Sequence, residues 1–183
     1  LKGYNQFPHT LPVVPMSRAA HDEVRIFRKQ VAALITALGF DEAINYSFIS
    51  PRHFDMLKVG EDDLLRKTIP VQNPLTDDQS VMRTTLLPGL LENIRHNINR
   101  QVSDIRLFEI GKVFTPHSES ELPLETFRLT LLCSGARYPQ APSLYFSEQP
   151  VDIYDVKGVA EEVVRELRRT QINFEITADK APP

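Results

Sequence analysis

The side chains able to do chemistry in this sequence are few, and their spacing excludes more than it offers. Cys133 is the only cysteine. One thiol makes no internal disulfide and no cysteine-rich zinc site. It sits in Leu131-Leu132-Cys133-Ser134-Gly135, where a small buried hydrophobe fits better than a nucleophile. The histidines, His9, His21, His53, His96 and His117, include no i,i+4 pair, so the two-histidine helix face of a zinc protease cannot be written. His21-Asp22-Glu23 and Glu61-Asp62-Asp63 gather ligand-type atoms, but consecutive residues on a helix point in different directions. The second run reads as a solvated turn. The glycines stand at positions 3, 39, 60, 89, 111, 135 and 158, too far apart for a phosphate-cradling loop or a dinucleotide fingerprint. On these grounds no catalytic, cofactor-binding or metal-binding residue is assigned.

The elements that would have to position such residues belong to a chain of ordinary make-up. Its 183 residues, 42% hydrophobic and 25% charged, suit one domain with a core of useful size. A net charge of −3 withholds the general phosphate attraction of a stand-alone nucleic-acid binder. Arg165, Arg168 and Arg169 therefore read as a solvated helix face. No apolar run approaches the roughly eighteen residues of a membrane span, and the start lacks the apolar stretch of a signal peptide. With a lone cysteine this suggests a reducing, cytoplasmic setting. The chain opens at Leu1 without an initiator methionine, which reads as a piece of a longer protein.

Residues 1–17, with Pro8, Pro12 and Pro15, read as a linker from a preceding domain. Residues 18–183 read as one domain, truncated at its C-terminal end. Val24, Phe27, Val31, Leu34 and Leu38 recur at helical spacing over Ala19–Leu38, and Gly39 follows as a cap. Ala43–Ile49 alternates Ile44, Tyr46 and Phe48 on one side of a predicted strand. A short helix is expected from Ser50-Pro51 to Leu57, and a second strand over Leu65–Val71, closed by Asn73-Pro74. Pro88 suits the first turn of a helix striped by Leu87, Leu91, Ile94 and Ile98. Two β segments, Ile105–Ile110 and Val113-Phe114, are expected to join at Gly111-Lys112. A strand at Phe127–Ser134 follows. Next comes a helix over Asp155–Arg169, capped by Asp155, with Val156, Ala160, Val163 and Leu167 on one face. A last strand is expected at Ile172–Ile176. Several strands are neighbours without an intervening helix, which predicts an α+β fold with a mainly antiparallel sheet flanked by helices.

From Asn73 onward the sequence resembles one family. Asn73-Pro74-Leu75, then Met82-Arg83-Thr84-Thr85-Leu86-Leu87-Pro88-Gly89-Leu90-Leu91, is similar to the phenylalanyl-tRNA synthetase beta chain of bacterial type. That family carries Asn-Pro-Leu followed by Arg-Thr-Ser-Leu-Leu-Pro-Gly-Leu-Leu; Thr85 stands at the usual serine. Asn97-Ile98-Asn99-Arg100 and Leu107-Phe108-Glu109-Ile110-Gly111-Lys112-Val113-Phe114 continue the likeness. So do Gly3-Tyr4-Asn5, Gly39-Phe40-Asp41-Glu42 with Tyr46-Ser47-Phe48, and Asp152 with Asp155-Val156-Lys157-Gly158 ahead of Glu161.

The resemblance implies a class II aminoacyl-tRNA synthetase-like core that is a degenerate, non-catalytic copy. It would serve a heterotetramer in which the alpha chain charges tRNA(Phe) with ATP and magnesium, cofactors that this segment would not hold. The family's editing domain lies upstream and its RNA-binding domain downstream. Arg106-Leu107-Phe108-Glu109 echoes the Phe-Arg-x-Glu of active class II sites. Here, however, the glutamate stands three positions after the arginine rather than two, which puts them on opposite sides of a strand, and no glycine-rich segment ending in arginine follows. An active, free-standing synthetase paralogue is the alternative. By analogy with class II dimers, the first helix and strand are expected to meet the alpha chain, through Arg25, Arg28, Tyr46 and Phe48.

Overall fold

The computed structural model describes Gly3, Asn5, residues 22–117 and 122–139, Tyr145, Ser147 and residues 149–169. The expected linker, apart from Gly3 and Asn5, and the strand expected at Ile172–Ile176 lie outside the described residues.

Helix α1 (Glu23–Ala37) starts where the Asp22 carboxylate accepts the Arg25 N–H at 2.9 Å, an N-cap that satisfies one orphan amide. It ends as Gly39 turns to φ +87°. The Gly39 N–H bonds Thr36 O, and the Phe40 N–H bonds Ile35 O. That pair of bonds is the Schellman ending, and its usual apolar contact is present because Phe40 and Ile35 are both buried. The helix is therefore shorter than the expected Ala19–Leu38. Its buried residues are Val31 and Ile35, while Val24, expected on the packed face, stands exposed.

Strand β1 (Asp41–Glu42) leads toward β2 (Phe48–Ile49), then helix α2 (Arg52–Met56) and strand β3 (Val81–Met82). Helix α3 (Leu87–Ile98), the long strands β4 (Ile105–Thr115) and β5 (Leu124–Ser134), and helix α4 (Ile153–Arg169) follow. The larger sheet has the order β1-β4-β5, with β1 parallel and β5 antiparallel to β4. Strands β2 and β3 make a small antiparallel ribbon. The architecture is α+β, as expected.

Three expectations about strands change. Ala43–Ile49 is not one strand: Asp41–Glu42 pairs with β4, Phe48–Ile49 pairs with β3, and the intervening backbone belongs to neither ladder. Leu65–Val71 begins as a 3₁₀ turn, Leu64–Arg66, and only then runs beside β3 through the bonds Met82 N–H to Ile69 O and Val71 N–H to Ser80 O. Gly111-Lys112 is no joint, because β4 passes straight through it with unbroken register to β5.

Both faces of β4 are covered, so it reads as a core strand on each. Phe108 and Ile110 face the core built with Val31, Ile35 and Phe40 near α1 and Val163 of α4. Fully burying a side chain such as Phe108 contributes about 1.5–3 kcal/mol relative to leaving it exposed. The alternate residues Glu109 and Gly111 meet Arg83 and Leu86, at the start of α3. Leu90 is the fully buried residue of α3, whereas Leu87, Leu91 and Ile98 of the expected stripe are exposed. In α4, Val159 rather than Ala160 packs on the core beside Val163 and Leu167. Ile49, Phe54 and Val81 form a second cluster under the ribbon.

Candidate functional site

Between β1 and β2 the chain changes sheets, and this crossing organises the site. The Ala43 N–H still bonds Phe108 O at 2.7 Å, and the Arg83 N–H bonds Ser47 O at 2.9 Å. The carbonyls between them, of Asn45 and Tyr46, have no ladder. They accept instead from Arg83 Nη1, at 3.5 and 3.4 Å.

The same guanidinium holds the rest of the junction. Arg83 Nη1 pairs with Glu109 Oε1 at 2.6 Å, and Nε donates to Lys112 O at 2.9 Å. Glu109 Oε2 accepts from Asn45 Nδ2 at 2.8 Å, and the Phe114 N–H bonds Arg83 O at 2.9 Å. Arg83 is 5% exposed and Glu109 3% exposed. An ion pair this deep survives only because its remaining donors and acceptors are also satisfied. Two glycines make room for it. A Cβ on Gly111 would run into Arg83 Nη2, and one on Gly89 would lie 2.8 Å from the Asn45 side chain.

Above the junction, Ile44 is 90% exposed, Tyr46 75% and Phe48 41%. The structure brings Tyr46 and Phe48 together on the wall of an open cleft of about 550 Å³, with His53, Asp78, Pro88 and Gly89 around it. Arg25 and Arg28 lie elsewhere. They line a separate cleft of about 280 Å³ with Lys29, Ala32, Glu42 and Ile110. The Arg28 guanidinium sits 4.3 Å from the centre of the Phe127 ring, a cation–π contact with the chain's own sheet. Its Nε is buried without a hydrogen-bond partner among the described residues.

Both ends of the Arg106–Glu109 echo are engaged within the chain. The Arg106 guanidinium donates to Arg137 O, and both carboxylate oxygens of Glu109 are committed to Arg83 and Asn45. No group of three or more His, Cys, Asp or Glu side chains that could hold a metal ion gathers among the described residues.

A second polar cluster closes the start of α4. Asp152, not Asp155, is the cap: its Oδ1 accepts from the Tyr154 N–H at 2.8 Å, while Asp155 Oδ2 accepts the Asp152 N–H at 2.8 Å. This reciprocal pair is a capping box, and the expected role of Asp155 moves three residues upstream. Arg137 spans both carboxylates, with Nη2 2.6 Å from Asp152 and Nε 2.9 Å from Asp155. The Asp152 N–H, and after it Arg137, hold the Asp155 carboxyl below its ordinary range. Cys133 is half-buried against the core beside Arg106 and Asp155, and burial pushes its thiol up.

Sequence reasoning missed Arg83 and Asn45, and weighed Glu109 only as part of the echo. One local signal was present: a lone glycine inside a strand marks close approach by another group.

Residues 7–182 match the family model described as "Phenylalanyl tRNA synthetase beta chain CLM domain". The chain is 41% identical, over 99% of its length, to the phenylalanine–tRNA ligase beta subunit of Desulfotalea psychrophila, and 40% identical over 97% to that of Carboxydothermus hydrogenoformans. It spans only 22% of the length of each. Among solved structures, pyrrolysyl-tRNA synthetase from Desulfitobacterium hafniense superposes with a TM-score of 0.58 at 20% identity, covering 87% of this chain and 51% of that one. The likeness establishes a class II synthetase-type fold. No helix among the described residues is long and apolar enough to cross a membrane.

Proposed function

The chain belongs to the phenylalanyl-tRNA synthetase beta chain family, and from that premise we propose that it is a subunit-holding core without chemistry of its own. In this reading it grips the alpha chain of a cytoplasmic phenylalanine–tRNA ligase. The alpha chain then charges tRNA(Phe) with ATP and magnesium. The observation that carries the reading is the row Ile44, Tyr46 and Phe48, three large apolar side chains left in solvent, whereas Phe40, Phe54, Phe108 and Phe114 are buried. A contiguous exposed apolar patch marks a partner surface, and a tyrosine flanked by apolar neighbours is a typical energetic anchor.

Arg25 and Arg28 have weaker support as contacts. Arg28 already stacks on Phe127, so only Arg25 stands free on the surface. The alternative, an active synthetase paralogue, is disfavoured by the commitment of Glu109 to Arg83. The test is co-purification of the intact beta subunit, carrying Tyr46→Ala and Phe48→Ala, with its alpha chain. Loss of an anchor typically costs about 2 kcal/mol or more, roughly a thirtyfold weaker association. Unchanged association would remove the row from the interface, and ATP–pyrophosphate exchange by the beta subunit alone would favour the paralogue.

A further inference from the structure

We propose that Arg83 is a positioning residue for subunit recognition: its guanidinium replaces the missing β-ladder at Asn45 and Tyr46 and so sets how Tyr46 projects toward the partner. The proposal rests on reading the Ile44–Tyr46–Phe48 row as the partner-binding surface.

The argument starts from what the crossing lacks. A β-strand is held straight by neighbours that take its carbonyls and amides in register. Between Ala43 and Ser47 that support is absent, because the backbone has left β4 and not yet reached β3. Carbonyls there need donors. Arg83 supplies them from one planar group, giving Nη1 to Asn45 O and Tyr46 O while its backbone N–H takes Ser47 O. Glu109 orients that group from below and reaches up through Asn45 Nδ2. Three successive residues of the row's backbone are thereby fixed to one arginine.

Stability alone does not account for such a cluster. Well-packed apolar side chains often replace a buried ion pair without loss. What they cannot supply is direction, since a guanidinium presents its donors in a fixed plane. The two glycines agree with a positional role: Gly111 admits the guanidinium and Gly89 admits Asn45, so both side chains that hold the crossing are given clearance.

The experiment uses the intact beta subunit and its alpha chain, with subunit affinity and the melting temperature of the beta subunit as paired readouts. Tyr46→Ala tests the underlying reading. Arg83→Met with Glu109→Leu removes the cluster without stranding a charge, and Asn45→Ala is the milder variant should the double one fail to fold. The expected result is a tenfold or greater loss of affinity in the cluster variants while melting shifts little. Faster hydrogen exchange at the residue-83 amide, which donates to Ser47 O, should accompany it. If Tyr46→Ala weakens association but folded cluster variants do not, the positioning role is overturned and the interface reading stands. Unchanged affinity in Tyr46→Ala overturns both.

Discussion

Gly111 carries no side chain where the guanidinium of Arg83 lies, and the two residues come together from different sheets: one sits in the middle of β4, the other directly after β3. The absent Cβ is what lets an ion pair sit against the face of a continuous strand.

Gly111→Ala is accordingly expected to destabilise the chain. The added methyl must displace Arg83 Nη2 or bend β4, and overpacking of this kind costs about 1–3 kcal/mol. Urea unfolding should show a lower midpoint at unchanged slope. A midpoint equal to that of the parent would mean that the guanidinium moves freely.

Removing one partner of the Arg83–Glu109 pair should cost more than removing both. Glu109→Leu leaves a buried cation alone, a loss of about 3–5 kcal/mol, whereas Arg83→Met with Glu109→Leu should lie closer to the parent. A double-mutant cycle by chemical denaturation reads this directly. Additive single effects would contradict a tightly coupled pair.

The start of α4 carries an acid-sensitive element. Asp155 titrates below its ordinary range, chiefly through the Asp152 N–H and then through Arg137. A depressed carboxylate stabilises fully above its unfolded pKa, about 4. That contribution disappears as the pH falls through the lower folded value. Asp155→Asn should therefore melt below the parent at neutral pH, with the gap narrowing only under about pH 4. A gap independent of pH would assign the loss to shape instead of charge.

Cys133 should react slowly. Burial raises its thiol, and thiolate is the reactive form. Modification by a thiol reagent at neutral pH should run slower than for a free cysteine and recover on unfolding. Rapid labelling of the native chain would show that the β5 end opens.

Much of the fold was legible because it is locally encoded. The three long helices followed from apolar spacing, and Gly39 ended α1 as its position required. Boundaries drifted where capping side chains decided them, as with Asp22 and Asp152. The crossing at residues 43–47 was unreadable for a different reason: alternation of Ile44, Tyr46 and Phe48 signals one covered face, and here that face points to solvent. Nothing local links Arg83 to Glu109, which lie 26 residues apart. Only the glycine at 111 hinted that something approaches.

The parallel pairing of β1 with β4 has a consequence in time. It joins residue 41 to residue 107, whereas β4 and β5 are consecutive elements. Loop-closure entropy favours the hairpin as the early event and the parallel strand as the late one. The Ala43 amide, donated to Phe108 O, should gain protection after those of β5 in pulse-labelled hydrogen exchange; simultaneous protection would argue against this order. On the proposed function, the exposed row that follows β1 directly would be a complete partner surface only at the end of folding, so that assembly itself would sort finished molecules from unfinished ones.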